Sequence, residues 1–87
     1  MLIRDPERER AETRAQLANR FDLTPTETDI VLEILKGDGR KAAALRLGMA
    51  PGTARVHLQR IFDKMGVHTQ AELVRVVTEL GKEPISS

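Results

Sequence analysis

The chain has 87 residues, no cysteine, tryptophan or tyrosine, and a formal net charge of +1. That length makes one small domain, and the lack of cysteine excludes disulfides and thiol catalysis. Its uninterrupted apolar runs are only a few residues long, so neither a membrane span nor a signal-peptide core can be built from them. The expected location is the cytoplasm. With Phe21 and Phe62 the only aromatics, a base-stacking platform for single strands is not expected.

The charge is unevenly placed. Residues 1–39 hold six basic and nine acidic side chains, whereas residues 40–87 hold eight basic and four acidic. The excess is concentrated in residues 37–66, with six basic against two acidic. A polyanion would therefore meet the middle of the chain, although a highly charged surface can show the same fluctuation by chance.

Asp5-Pro6-Glu7 reads as a helix opening: an Asp cap, Pro in the first helical position and an acid in the first turn. The helix runs to about Arg20, with Ala11, Ala15, Leu17, Ala18 and Phe21 as a thin apolar stripe anchored by Leu17 and Phe21. Residues 1–20 fit a linker, an extra packing helix or a partner surface. Leu23-Thr24-Pro25-Thr26-Glu27 then gives a capping-box spacing, Thr24 to Glu27. The helix it starts buries Ile30, Val31, Ile34 and Leu35, and is expected to end at Lys36-Gly37.

Asp38 or Gly39 caps a short helix that runs through Leu47, with Ala43, Ala44 and Leu47 facing inward. Its N-terminus, with Arg40 and Lys41, suits a phosphate; two solvated cations are the plainer account. Gly48-Met49-Ala50 forms a three-residue turn, and a longer helix follows over 52–66, opened by Pro51. A short alanine-containing helix, a turn led by Gly and a second helix make a helix-turn-helix. Ala50 is a poor cap, and Gly52 in the first turn either admits a phosphate or is merely tolerated.

In the 52–66 helix, Ala54, Leu58, Ile61, Phe62 and Met65 share one face. The opposite face carries Gly52, Val56, Gln59, Arg60 and Asp63, with Arg55 at its edge. Such a helix suits a major groove, because arginine pairs with guanine, glutamine with adenine and an aliphatic group with a thymine methyl. An amphipathic helix with a solvated face would show the same pattern.

Thr69 and Glu72 give a second capping-box spacing. The last helix runs over 70–80 with Gly81 as its stop, and residues 82–87 read as a loose tail. Its apolar positions Leu73, Val74, Val76, Val77 and Leu80 span a wider arc than one small core needs. The excess around Ala71, Val74, Val77 and Thr78 fits a two-fold interface; broad burial within one chain is the alternative.

Taken together, residues 21–81 resemble the C-terminal DNA-binding domain of LuxR/FixJ-type (NarL-like) bacterial transcription regulators. The matching residues are Leu23-Thr24-Pro25 with Glu27, then Gly37, Lys41, Ala44 and Leu47. The most specific part is Thr53-Ala54-Arg55-Val56-His57, followed by Ile61, Lys64 and Gly66-Val67. The run Gln70-Ala71-Glu72-Leu73-Val74 resembles one subgroup of that family. The resemblance implies an all-α, four-helix domain, here with an additional N-terminal helix, whose third helix reads double-stranded DNA and whose fourth dimerises. Carried over by position, Arg55, Val56 and Gln59 would face bases. Thr53, His57, Arg60 and Lys64 would hold phosphates, joined by Arg40 or Lys41. The chain departs from the family at Ala50, where Ser or Thr is usual, at Ala54, and at Ala42-Ala43. Thr26 and Gln70 also stand where Arg is common.

This reading implies a homodimer on half-sites about one helical turn, 10–10.5 bp, apart, with RNA polymerase as a further partner. It implies no small-molecule ligand in this domain and no cofactor. His57 and His68 lack the spacing and companions of a zinc site, and no phosphate-cradling glycine loop or catalytic constellation is present, so an enzyme is not expected. Two other readings use the same helices: a sigma-region-4-like promoter and polymerase module, and a helical protein-interaction module that has lost DNA binding.

Overall fold

The computed structural model describes residues 6–82. The helices follow in the order α1 (Pro6–Phe21), α2 (Pro25–Ile34), α3 (Arg40–Arg46), α4 (Pro51–Met65) and α5 (Gln70–Lys82), with no strand among the described residues. The all-α class is thus the expected one. The Asp5 cap lies outside the described residues, as does most of the expected tail.

α1 ends where Asp22 takes a left-handed backbone, φ 58°, a conformation that Asp tolerates better than most residues. The chain then reverses into α2 through Leu23, which is buried. The capping box at the start of α2 is complete. Thr24 Oγ1 accepts the Glu27 N–H at 3.2 Å, and Glu27 Oε1 accepts the Thr24 N–H at 2.9 Å. Pro25 occupies the first turn, where its missing N–H costs no hydrogen bond. Thr28, fully enclosed, satisfies its hydroxyl by donating to the Thr24 carbonyl.

The reversal sets α1 antiparallel to α2. Arg10 Nη2 donates to Glu33 Oε2 at 2.9 Å, and Arg14 pairs with Asp29. Each pair of partners is four residues apart on its own helix, so both rungs fall on one seam. Leu17, fully buried in the core, anchors α1, and Phe21, partly buried, packs against the same core. α1 also rests on α5, while α2 touches α1, α3 and α4 and so occupies the centre. Ile30, Val31 and Ile34 of α2 are almost wholly enclosed. Each such aliphatic side chain contributes about 1.5–3 kcal/mol by leaving water.

Two helix ends differ from expectation. α2 stops at Ile34, before Lys36, because Lys36 and Gly37 bond to the Glu33 and Ile34 carbonyls three residues back, a tighter turn than the α-helix. α5 continues through Gly81 to Lys82; a single glycine costs only about 1 kcal/mol in a helix and does not by itself end one. α5 opens as the Thr69–Glu72 spacing implies, although the box is shifted. Thr69 Oγ1 accepts the Glu72 N–H at 3.1 Å, but Glu72 Oε1 accepts from the N–H of His68, also at 3.1 Å, one residue further back.

Candidate nucleic-acid interface

α3 is seven residues long and buries Ala43 and Ala44. With only methyl groups on that side, α4 can pack closely against it, as it does. Gly39, and not Asp38, is the residue before α3, and no side chain caps it; Asp38 is turned to Arg46 instead. At the other end the Gly48 N–H bonds to the Leu45 carbonyl at 3.1 Å and the Met49 N–H to the Ala44 carbonyl at 3.0 Å. This is the Schellman closure, which needs a left-handed residue, and Gly48 supplies it at φ 69°. The chain therefore leaves α3 in a fixed direction, and Met49, half-buried, fills the corner.

Ala50 precedes α4 in the extended conformation a cap requires, φ −68° and ψ 146°, yet has no side-chain acceptor to offer. Pro51 fixes the first turn. Gly52 is exposed, and a Cβ built on it would meet nothing within 4 Å, so intramolecular packing does not demand a glycine there. α4 ends at Gly66 in the left-handed region, with the Val67 N–H returning to the Phe62 carbonyl at 3.0 Å.

α4 buries Ala54, Leu58, Ile61 and Met65, with Phe62 packed beside them. Thr53, Arg55, Val56, Gln59, Arg60 and Asp63 are exposed. Val56 is 53% exposed and, with Leu45 of α3 at 80%, is one of two large hydrophobic side chains left in solvent among the described residues. His57 sits on the flank of the helix, half-buried, with its Nδ1 enclosed and without a hydrogen-bond partner.

The cations divide into two groups. Arg8, Arg10, Arg14, Lys36, Arg46, Lys64 and Arg75 each face a carboxylate, and Arg20 also has a partner. Among the basic residues whose side chains are described, Arg40, Lys41, Arg55 and Arg60 form no ion pair, and all four are exposed. They lie in the first turn of α3 and on α4. Among the described side chains, unneutralised positive charge thus falls on the two helices of the turn motif.

Lys64 does not belong with them. Its Nζ lies 2.7 Å from Glu27 Oε1 and donates to the Asp22 carbonyl at 3.1 Å. A phosphate at the position expected for Lys64 would compete with Glu27 and the Asp22 carbonyl for its ammonium. Burial pushes the Glu27 carboxyl up, but the Lys64 ammonium and the Thr24 N–H outweigh that and hold it below the ordinary carboxylate range. Val77, expected at a two-fold interface, is likewise withdrawn. It is buried with Leu73 and Leu80 in the core of its own chain, whereas Ala71 and Thr78 are exposed and Val74 is half-buried. The hydroxyl of Thr78 donates to the Val74 carbonyl at 2.8 Å.

One charged centre had no counterpart in the sequence expectations. The nearly buried carboxylate of Glu33 meets Lys36 Nζ at 2.9 Å and Arg46 Nε at 2.6 Å through Oε1, and Arg10 through Oε2. Lys36 first, then Arg46 and Arg10, hold its pKa down at about 2 against the opposing effect of burial. Arg46 also grips Asp38 with two nitrogens, at 2.5 and 2.9 Å. The signal for this was the i,i+4 pairs Arg10/Arg14 and Asp29/Glu33, which become meaningful only once α1 and α2 are known to be antiparallel.

Two helices joined by a glycine-led turn, the second buried on one face and cationic on the other, define a helix-turn-helix domain. Residues 22–77 match the family described as bacterial regulatory proteins, luxR family, and the chain belongs to that family. It is 34% identical over 68 residues to the candidate HTH-type transcriptional regulators Mb0914c of Mycobacterium bovis and Rv0890c of Mycobacterium tuberculosis. It is 37% identical over 59 residues to the transcriptional regulatory protein MctR of Rhizobium johnstonii. These alignments cover 78% and 68% of this chain, but only 8% of the mycobacterial proteins and 28% of the rhizobial one. No solved structure matches the chain at the significance of these relatives. Among the described residues, no helix is long and apolar enough to cross a membrane.

Proposed function

We propose that the chain binds specific double-stranded DNA sequences by laying the N-terminal half of α4 in the major groove. The observation that carries this reading is the segregation of cations: Arg40, Lys41, Arg55 and Arg60 lack an acidic partner and share the helix-turn-helix, while the other described basic side chains, Arg46 and Lys64 of the same two helices included, have partners. Arg55, Val56 and Gln59 meet base edges. Arg has the geometry for guanine, Gln for adenine, and Val offers a methyl-sized contact to thymine. Thr53, His57 and Arg60, with Arg40 and Lys41 from α3, hold phosphates on either side. Lys64 is left out of that set because it serves Glu27.

The same reading makes the chain part of a cytoplasmic regulator of transcription that is not an enzyme. Two copies meet through Ala71, Val74 and Thr78 of α5, whose outward side these residues share without Val77. The half-sites then lie about 10–10.5 bp apart. The test is substitution on a selected duplex. Arg55→Ala relaxes preference at one base pair and costs roughly 1–3 kcal/mol, whereas Arg60→Ala weakens all sequences alike and reduces the salt slope by about one. Unchanged affinity and base preference in Arg55→Ala would remove α4 from the groove.

A further inference from the structure

The family match begins at residue 22, after α1, yet α1 reaches the helix-turn-helix through charge. Glu33 is the junction. Its side chain is 8% exposed, and its two oxygens are divided between neighbours. Oε2 is held by Arg10 of α1 at 2.9 Å; Oε1 is shared by Lys36 and by Arg46 of α3. The terminal torsion of a Glu side chain is soft and broad. A carboxylate gripped on Oε1 alone can therefore swing, and the Arg10 contact on Oε2 stops it.

What Oε1 holds is the last residue of α3. The Arg46 guanidinium is fixed by Glu33 Oε1 through Nε, by the Glu33 carbonyl at 3.2 Å and by both oxygens of Asp38. Such planar, multiply bonded geometry locks direction as well as charge. Directly after Arg46 come Leu47 and Gly48, where the chain turns toward α4.

We propose that Arg10 is a positioning residue for DNA reading: through the Glu33 carboxylate it fixes Arg46, and with it the exit of α3 toward α4. α1 is then a working part of the DNA-binding unit. The inference rests on the DNA-reading proposal above for its consequence in binding, but the coupling itself can be measured on the protein alone.

The experiment compares Arg10→Ala in the natural background and in Glu33→Gln, following two quantities. One is amide hydrogen exchange at Leu47 and Met49, whose N–H groups close α3, against Leu73 N–H in α5. The other is affinity for a selected duplex. Arg10→Ala speeds exchange at Leu47 and Met49 over that at Leu73, and weakens duplex binding without changing the salt slope. Each effect is about 2- to 30-fold, the range expected for coupling through a packed network. Neither change appears where Glu33 is already Gln, and Arg10→Lys retains most of both properties. Equal acceleration at Leu73 would mark a general loss of stability and overturn the proposal, as would equal effects in both backgrounds or no effect at Leu47 and Met49. If the unaltered chain retains no duplex, the DNA reading fails, and the exchange comparison still decides the coupling by the same outcomes.

Discussion

The Lys64 ammonium lies 2.7 Å from Glu27 Oε1, joining the last turn of the candidate reading helix to the first turn of α2. Glu27 is 3% exposed and also completes the capping box. One carboxylate therefore starts α2 and ties down α4. Lys64→Ala strands that carboxylate in the interior and is expected to cost about 1–3 kcal/mol of stability, measured by urea unfolding. Glu27→Gln in the same chain relieves part of the loss, because the buried group is then neutral. Unchanged stability with a flatter salt dependence of DNA binding would return Lys64 to the phosphates.

Acid should unfold the domain in part through Glu33. Its pKa is about 2 in the folded chain against an ordinary 4.5. The unfolded chain therefore binds the proton more readily, and stability falls as pH drops from above 4.5 toward 2. At neutral pH the contribution is on the order of 3 kcal/mol. A series of melting curves between pH 7 and pH 2 should show a clear fall over that window, and Glu33→Gln should flatten it. An equal fall in Glu33→Gln would place the acid sensitivity elsewhere.

Ala50→Ser should stabilise the domain. The backbone already has the extended cap conformation, and only the oxygen acceptor is missing. A serine there accepts an N–H from the first turn of α4 and gains about 1 kcal/mol, seen as a higher melting temperature. No gain would mean that Pro51 has already set the turn in a way that turns the hydroxyl aside.

Val56 offers a test by chemistry on the DNA. Replacing the contacted thymine by uracil removes one methyl group and should cost about 0.8 kcal/mol, or roughly fourfold in affinity. Val56→Ala should bind both duplexes nearly equally. A full thymine preference in Val56→Ala would assign the methyl contact to another residue.

Helix order and the turn were legible because each is set by neighbours in the chain. Thr24 and Glu27 cap at a spacing of three, and Gly48 stands where a left-handed residue is required. The buried and exposed faces of α4 follow from its period. Lys64 was not legible, since Asp22 and Glu27 lie 42 and 37 residues away in sequence, and periodicity puts a lysine on a flank without saying what the flank meets. The burial of Val77 in its own chain was not legible for a related reason: an apolar arc gives the width of burial but not which edge another helix covers. The Glu33 centre depends on three elements arriving together, and no local pattern announces that.

The most direct measurement is a titration of the chain against a random-sequence duplex pool at two salt concentrations, with sequencing of the bound fraction. The account predicts enrichment of a two-fold related site, with half-sites about 10–10.5 bp apart and affinity that falls steeply with salt. Retention of no duplex at low salt, by a chain shown to be folded, would contradict it.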